Sequence, residues 1–174
     1  MKGFLVVVCL GLSIAAGCNK PAGKETSASA GALSTQPGLP TEAQPRLKLV
    51  KLWLGAEELI TELALTEQQQ KTGMMFRTNL MENGAMLFVF PAPHRASFWM
   101  MNTFLPLSAA YIGPDGTILE LHDLQPGQTN AVSAASDQVQ FVLEVNQGWF
   151  GRHGVSTGML VRAESGPLNQ LGRP

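Results

Sequence analysis

The chain has 174 residues, 45% of them apolar, and a net charge of −1 from 12 basic and 13 acidic side chains. That is enough apolar material for one packed domain, and the basic stripe a nucleic-acid-binding surface would need is missing. Both cysteines, Cys9 and Cys18, sit near the start, so neither a disulfide framework nor a thiolate zinc site is expected in the body.

Residues 1–17 read as a signal peptide. Lys2 supplies the positive start, Phe4 to Ile14 an apolar stretch of 11 residues, and Ala15, Ala16 and Gly17 the small residues before a cleavage site. A spanning helix needs roughly 20 apolar residues, so the stretch is too short to remain as an anchor. Ala15-Ala16-Gly17-Cys18 resembles a bacterial lipobox, with alanine where leucine is commoner. The resemblance implies cleavage before Cys18 and acylation of that residue; the alternative is ordinary secretory cleavage. Asn19 follows the cysteine. In such lipoproteins an aspartate there implies inner-membrane retention, so the outer membrane is favoured. Residues 18–45 then read as a lipidated cysteine and a disordered tether, dominated by Ala, Ser, Thr, Gly and Pro.

The globular domain is expected over residues 46–166. Arg46 to Leu54 reads as a strand, Gly55-Ala56 as a turn, and Glu58 to Leu65 as the returning strand of a hairpin. Thr66 followed by Gln69 fits a capping box and predicts a short helix from Glu67 to about Met74. Asn83-Gly84 signals a turn, and Met86 to Phe90 a buried strand ended by Pro91 and Pro93. Ser97 to Met101 reads as the next strand. Leu107 to Ile112 and Thr117 to His122 flank Gly113-Pro114-Asp115-Gly116, a hairpin turn. Val139 to Val145 is another buried strand. Asn146 is placed to cap a short helix through Phe150 and His153, closed by Gly154. Met159 to Ala163 is the last strand, and residues 167–174 read as a frayed tail. The fold class expected is α+β: a mainly antiparallel, small, partly closed barrel-like sheet of about eight strands with two short peripheral helices.

Several motifs, in order, resemble those of the domain of unknown function 192 family. They are Gly73-Met74-Met75-Phe76-Arg77, Gly84-Ala85-Met86-Leu87-Phe88-Val89-Phe90, Phe98-Trp99-Met100-Met101-Asn102-Thr103, Pro106-Leu107, and Phe141-Val142-Leu143-Glu144 with Gly148. The match runs from Leu47 to Val161. Ser108 stands where the family usually carries Asp, and Gly158-Met159 where it often carries Gly-Asp. The resemblance implies an α+β fold and an envelope location. It brings no established activity and no catalytic residue.

Arg77 and Asn102 are polar residues inside apolar motifs. Buried Arg77 needs a partner, and Glu144 on a core strand is a candidate. With Trp99, these four either tie the fold together or line a polar pocket. Met74, Met75, Met86, Met100 and Met101 are soft donors of the kind that select Cu(I), and equally good fillers of irregular gaps. Met100 and Met101 would point to opposite faces of a strand. Glu120 and His122 share a strand face, with Asp123 adjacent, and read as a hydrolytic or metal-binding set or as a solvated edge. Hydrolase, phosphate-loop and zinc-protease motifs are all missing. The expectation is therefore an exported lipoprotein carrying a non-catalytic module, without a cofactor. Its partners are the membrane through Cys18 and an envelope protein or small ligand. A Cu(I)-binding protein and an unrecognised hydrolase are the alternatives. Oligomeric state is not legible.

Overall fold

The computed structural model describes residues 38–171. The expected signal peptide, the lipobox-like segment with Cys18 and most of the expected tether lie outside the described residues, as do residues 172–174. No helix among the described residues is long and apolar enough to cross a membrane.

Among the described residues ten strands and two short helices follow in chain order. They are β1 (Leu49–Leu54), β2 (Glu57–Ala64), α1 (Glu67–Thr72), β3 (Gly84–His94), β4 (Ser97–Phe98), β5 (Leu107–Ile112), β6 (Ile118–Leu124), β7 (Val132–Ser133), β8 (Val139–Asn146), α2 (Trp149–Arg152), β9 (Val161–Ala163) and β10 (Gly166–Pro167). A 3-10 turn at Leu168–Gln170 ends the fold. Eight strands form one mixed sheet in the order β10-β9-β1-β2-β3-β8-β5-β6, and β4 pairs with β7 separately.

The α+β reading holds, but the sheet is open rather than a partly closed barrel. Near its two ends an isolated bridge joins Thr117 to Leu160, and Val161 N–H donates to the Gly116 carbonyl. These contacts do not extend into a ladder. Pairing is mostly antiparallel, with β2–β3 the parallel exception. The reason is α1: it lies between β2 and β3, and a parallel neighbour needs such a crossover.

α1 starts where its capping box predicts. Gln69 N–H donates to the Thr66 hydroxyl, and the Gln69 side chain accepts from Thr66 N–H. It stops at Thr72 because Gly73 turns to φ +48°. β3 runs through Pro91 and Pro93, which were expected to end it. Its register with β8 shifts between Val89 and His94 and the prolines are exposed, so their missing N–H groups leave no buried gap. Met100 and Met101 leave the strand for a turn at Met101–Asn102, so alternation does not apply to them. Asn146 does not cap α2. It completes β8, and its amide donates to the carbonyl of Met81, while left-handed Gly148 begins the helix. Residues 167–171, expected as part of a frayed tail, are ordered instead: Leu168 is fully buried.

Strand alternation sorts the interior into two clusters on opposite faces of the sheet. One is hydrocarbon and indole, built on Leu52, Leu87, Leu143 and Trp149. The other holds Met74, Met86, Phe88, Met100, Ala109, Tyr111 and Val142. That second face is where the polar residues singled out from the sequence gather.

Candidate functional site: an apolar groove above a buried carboxyl

Strand register places five residues in one row across the second face. Glu62 pairs with Met86, Met86 with Glu144, Glu144 with Ala109, and Ala109 with His122. The row carries two buried carboxyl groups with opposite surroundings.

Glu62 is satisfied. Arg77 Nη1 and Nη2 donate to its Oε1 and Oε2 at 2.7 and 2.8 Å, and Leu47 N–H donates to Oε2 at 2.8 Å. A bidentate guanidinium–carboxylate pair of this kind is charge-assisted and geometrically fixed. Arg77 therefore takes its partner from β2, not from Glu144 as the sequence suggested. Asn102 acts through its main chain. It adopts φ +56°, which asparagine tolerates better than most residues, and its carbonyl accepts from Phe76 N–H at 2.8 Å. This ties the turn after Trp99 to the segment that leads into Arg77.

Glu144 stands apart. It is buried, and its Oε2 has no hydrogen-bond partner. Burial pushes its carboxyl up to about 8, so it is neutral over most of the physiological range. It lines a hollow of about 30 Å³ together with Thr72, Met74, Phe98, Trp99 and Thr103. Gln70, Lys71, Phe88, Phe98 and Trp99 also line a wider groove of about 460 Å³, which continues along Phe90 and His94 to Leu39 and Pro40.

The groove has a structural cause. The α1 capping box fixes one wall, and the Gln44 side chain donates to the Gln69 and Gly73 carbonyls at its end. The other wall is aromatic: Phe98 meets Phe88 edge-on at 4.8 Å and Phe90 at 6.4 Å. Trp99 remains 42% exposed at the rim. Phe88, Phe98 and Thr103 lie inside the family motifs but were not singled out as site residues, and Thr72 belongs to no motif.

Met74, Met86 and Met100 are all buried in the cluster beneath this groove. Glu120 and His122 do meet, Oε2 to Nε2, at 2.9 Å. Burial raises the Glu120 carboxyl, but the N–H groups of Ser136 and Ala135 and the nearby His122 outweigh it and hold it low. Asp123 points elsewhere, accepting from the Ser108 hydroxyl, which also accepts from Gly148 N–H. Ser108 thus bridges a carboxylate and a helix start. Tyr111 donates to the Val132 carbonyl at 2.6 Å; burial first, then Glu144 and Glu120, raise its phenol. Among the described residues no three His, Cys, Asp or Glu side chains could hold a metal ion together. A larger hollow of about 550 Å³ opens between Val89, Phe90 and Leu171, but its walls include no unpartnered buried polar side-chain atom.

No curated protein matches the chain. Several solved structures resemble it, among them two that cover most of this chain. One, from Sinorhizobium meliloti 1021, is described as a "putative transcription regulator"; it is 31% identical with a TM-score of 0.64, over 70% of this chain and 98% of its own. The other is a protein of unknown function from Novosphingobium aromaticivorans DSM 12444, 30% identical with a TM-score of 0.61, over 81% of this chain and 99% of its own. The family model described as "Uncharacterized ACR", DUF192, matches residues 52–163. Motif order, fold and family model agree: the chain belongs to the domain of unknown function 192 family.

Proposed function

We propose that the protein is an exported lipoprotein whose domain binds a small ligand with an apolar body in the groove between α1 and β3–β4. One observation carries the binding reading: an aromatic-walled groove of about 460 Å³ leads to a buried carboxyl with an unpartnered oxygen. Its size falls in the range of small-molecule sites, which combine apolar walls with a few placed polar groups. An unsatisfied buried acid costs stability, and a ligand that pairs with it recovers that cost. The likeness to a protein described as a regulator does not favour DNA binding here, because the chain has a net charge of −1 and no basic run.

Titration with the neutral fluorophore prodan tests the groove. The protein should bind it with enhanced emission, and Trp99→Ala, a change at the exposed rim, should weaken binding about fivefold. Absence of binding, or equal binding by the variant, would refute the site. The lipoprotein reading rests on the signal peptide and Ala15-Ala16-Gly17-Cys18. Radiolabelled palmitate should enter the protein in growing cells and be lost in Cys18→Ser; an unlabelled wild-type protein would overturn it.

A further inference from the structure

Among the described residues four other buried side-chain atoms also go without partners: Thr61 Oγ1, Arg77 Nε, Gln147 Nε2 and Trp149 Nε1. Of these five residues Glu144 is the carboxyl, and it lines the hollow that shares Phe88, Phe98 and Trp99 with the aromatic groove. Resting on the ligand-binding reading above, we infer that this site takes a primary ammonium group on an apolar body, the ammonium set against Glu144 beneath Trp99 and the body along Phe88, Phe90 and Phe98.

Three features choose this chemistry. The first is charge. A carboxyl in an apolar hollow gains most from a cation, because an ion pair is strong where water is excluded. Trp99 lines the same hollow, and an indole ring adds attraction for a cation. The second is donor count. An ammonium has three N–H donors. Glu144, Thr72 and Thr103 line the same hollow, and the Thr103 hydroxyl donates to the Met101 carbonyl, which leaves its oxygen as an acceptor. Thr72 donates its own proton to the Gln68 carbonyl and accepts from the Gln68 side-chain amide at 3.4 Å, so its oxygen keeps one lone pair for a further donor. The third is size. A hollow of about 30 Å³ admits a group of roughly water's dimensions and excludes a trimethylammonium.

Binding is a balanced exchange. The neutral carboxyl releases its proton to solvent and the carboxylate accepts the ammonium N–H, with no covalent bond formed to the ligand. The neighbouring ionisable groups do not supply this cation from within. Lys71 on α1 is held by Glu67 at 2.8 Å. On β5, Tyr111 donates to a carbonyl. His94 lies along the groove, its ring against Phe90 at 4.5 Å.

The test is calorimetric titration of the full chain at pH 7 with hexylamine, hexanol, hexyltrimethylammonium and hexanoate, repeated in buffers of different ionisation enthalpy. Hexylamine should bind about tenfold more tightly than hexanol or the quaternary ion, a difference of about 1.4 kcal/mol. Hexanoate should bind weakest. The buffer series should show close to one proton released per amine bound, a readout that needs no variant. In Glu144→Gln the amine preference and the proton release should vanish while hexanol still binds. Equal binding of amine and alcohol, a quaternary ion as tight as the primary, or no proton release would overturn the inference and leave the groove standing. Failure of every hexyl compound to bind would overturn the groove as well.

Discussion

Glu62 and Glu144 stand in one row of the same sheet face, two strands apart with Met86 between them. At the usual strand spacing that is roughly 10 Å. Glu62 has a guanidinium on both oxygens and a main-chain N–H besides; Glu144 has an oxygen with no partner and a hollow above it. The first carboxyl fastens β2 to the loop at Arg77 and to the approach to β1. The second fastens nothing. A buried charge is tolerated when its hydrogen bonds are complete, and a buried acid without them is kept neutral instead. Burial alone therefore does not distinguish a brace from a binding group; the completeness of the pairing does.

The largest test of this contrast is pH. Glu144 titrates near 8 in the folded chain against 4.5 as the ordinary glutamate value. Between those values the folded state holds a proton that the unfolded state has lost. Stability should therefore fall as pH rises through that window, by up to about 5 kcal/mol. Urea midpoints at pH 5 and pH 8 should diverge in the wild type, and Glu144→Gln should remove that part of the divergence. An unchanged difference would mean that Glu144 is ionised and paired after all.

Next in size is the brace. Arg77→Met strands Glu62 and should cost about 4 kcal/mol by chemical denaturation at pH 7. The Glu144 pH effect should survive in this variant, since the two carboxyls have separate partners. Loss of both together would merge them into one network. On the opposite, hydrocarbon face, Leu168→Ala should cost about 3 kcal/mol, the ordinary effect of emptying a core position. A cost near zero would return the C-terminal segment to a frayed tail. The smallest effect is at the groove wall. Thr66→Ala removes the α1 cap and should cost about 1 kcal/mol, while weakening prodan binding because Gln70 and Lys71 lose their support.

How much of this could be read from residues alone follows from the distance each interaction spans. The Thr66–Gln69 capping box and the turn at Gly113–Gly116 were legible because their hydrogen bonds close within four residues. The two faces of β3, β5 and β8 were legible in part, because alternation assigns sides. Glu144 and Trp99 were singled out, but as members of a set with Arg77, and the missing element was Glu62. No local signal marks Glu62 as the partner, since it lies 15 residues before Arg77 and on a different element. Asn146 misled for a related reason. Its cap propensity is real, but β8 extends through it and the Met81 carbonyl takes its amide.

The sequence by itself determined the α+β class, the hairpins, the start of α1, the family motifs and the confinement of both cysteines to the first 18 residues. Each of these depends on neighbours in the chain or on composition. Only the tertiary structure decided that the sheet stays open, that β2 and β3 run parallel, that Arg77 belongs to Glu62, and that Glu144 is left alone beneath Trp99. Those outcomes depend on register between strands far apart in sequence. Alternation says which way a side chain points, but not which side chain it will meet.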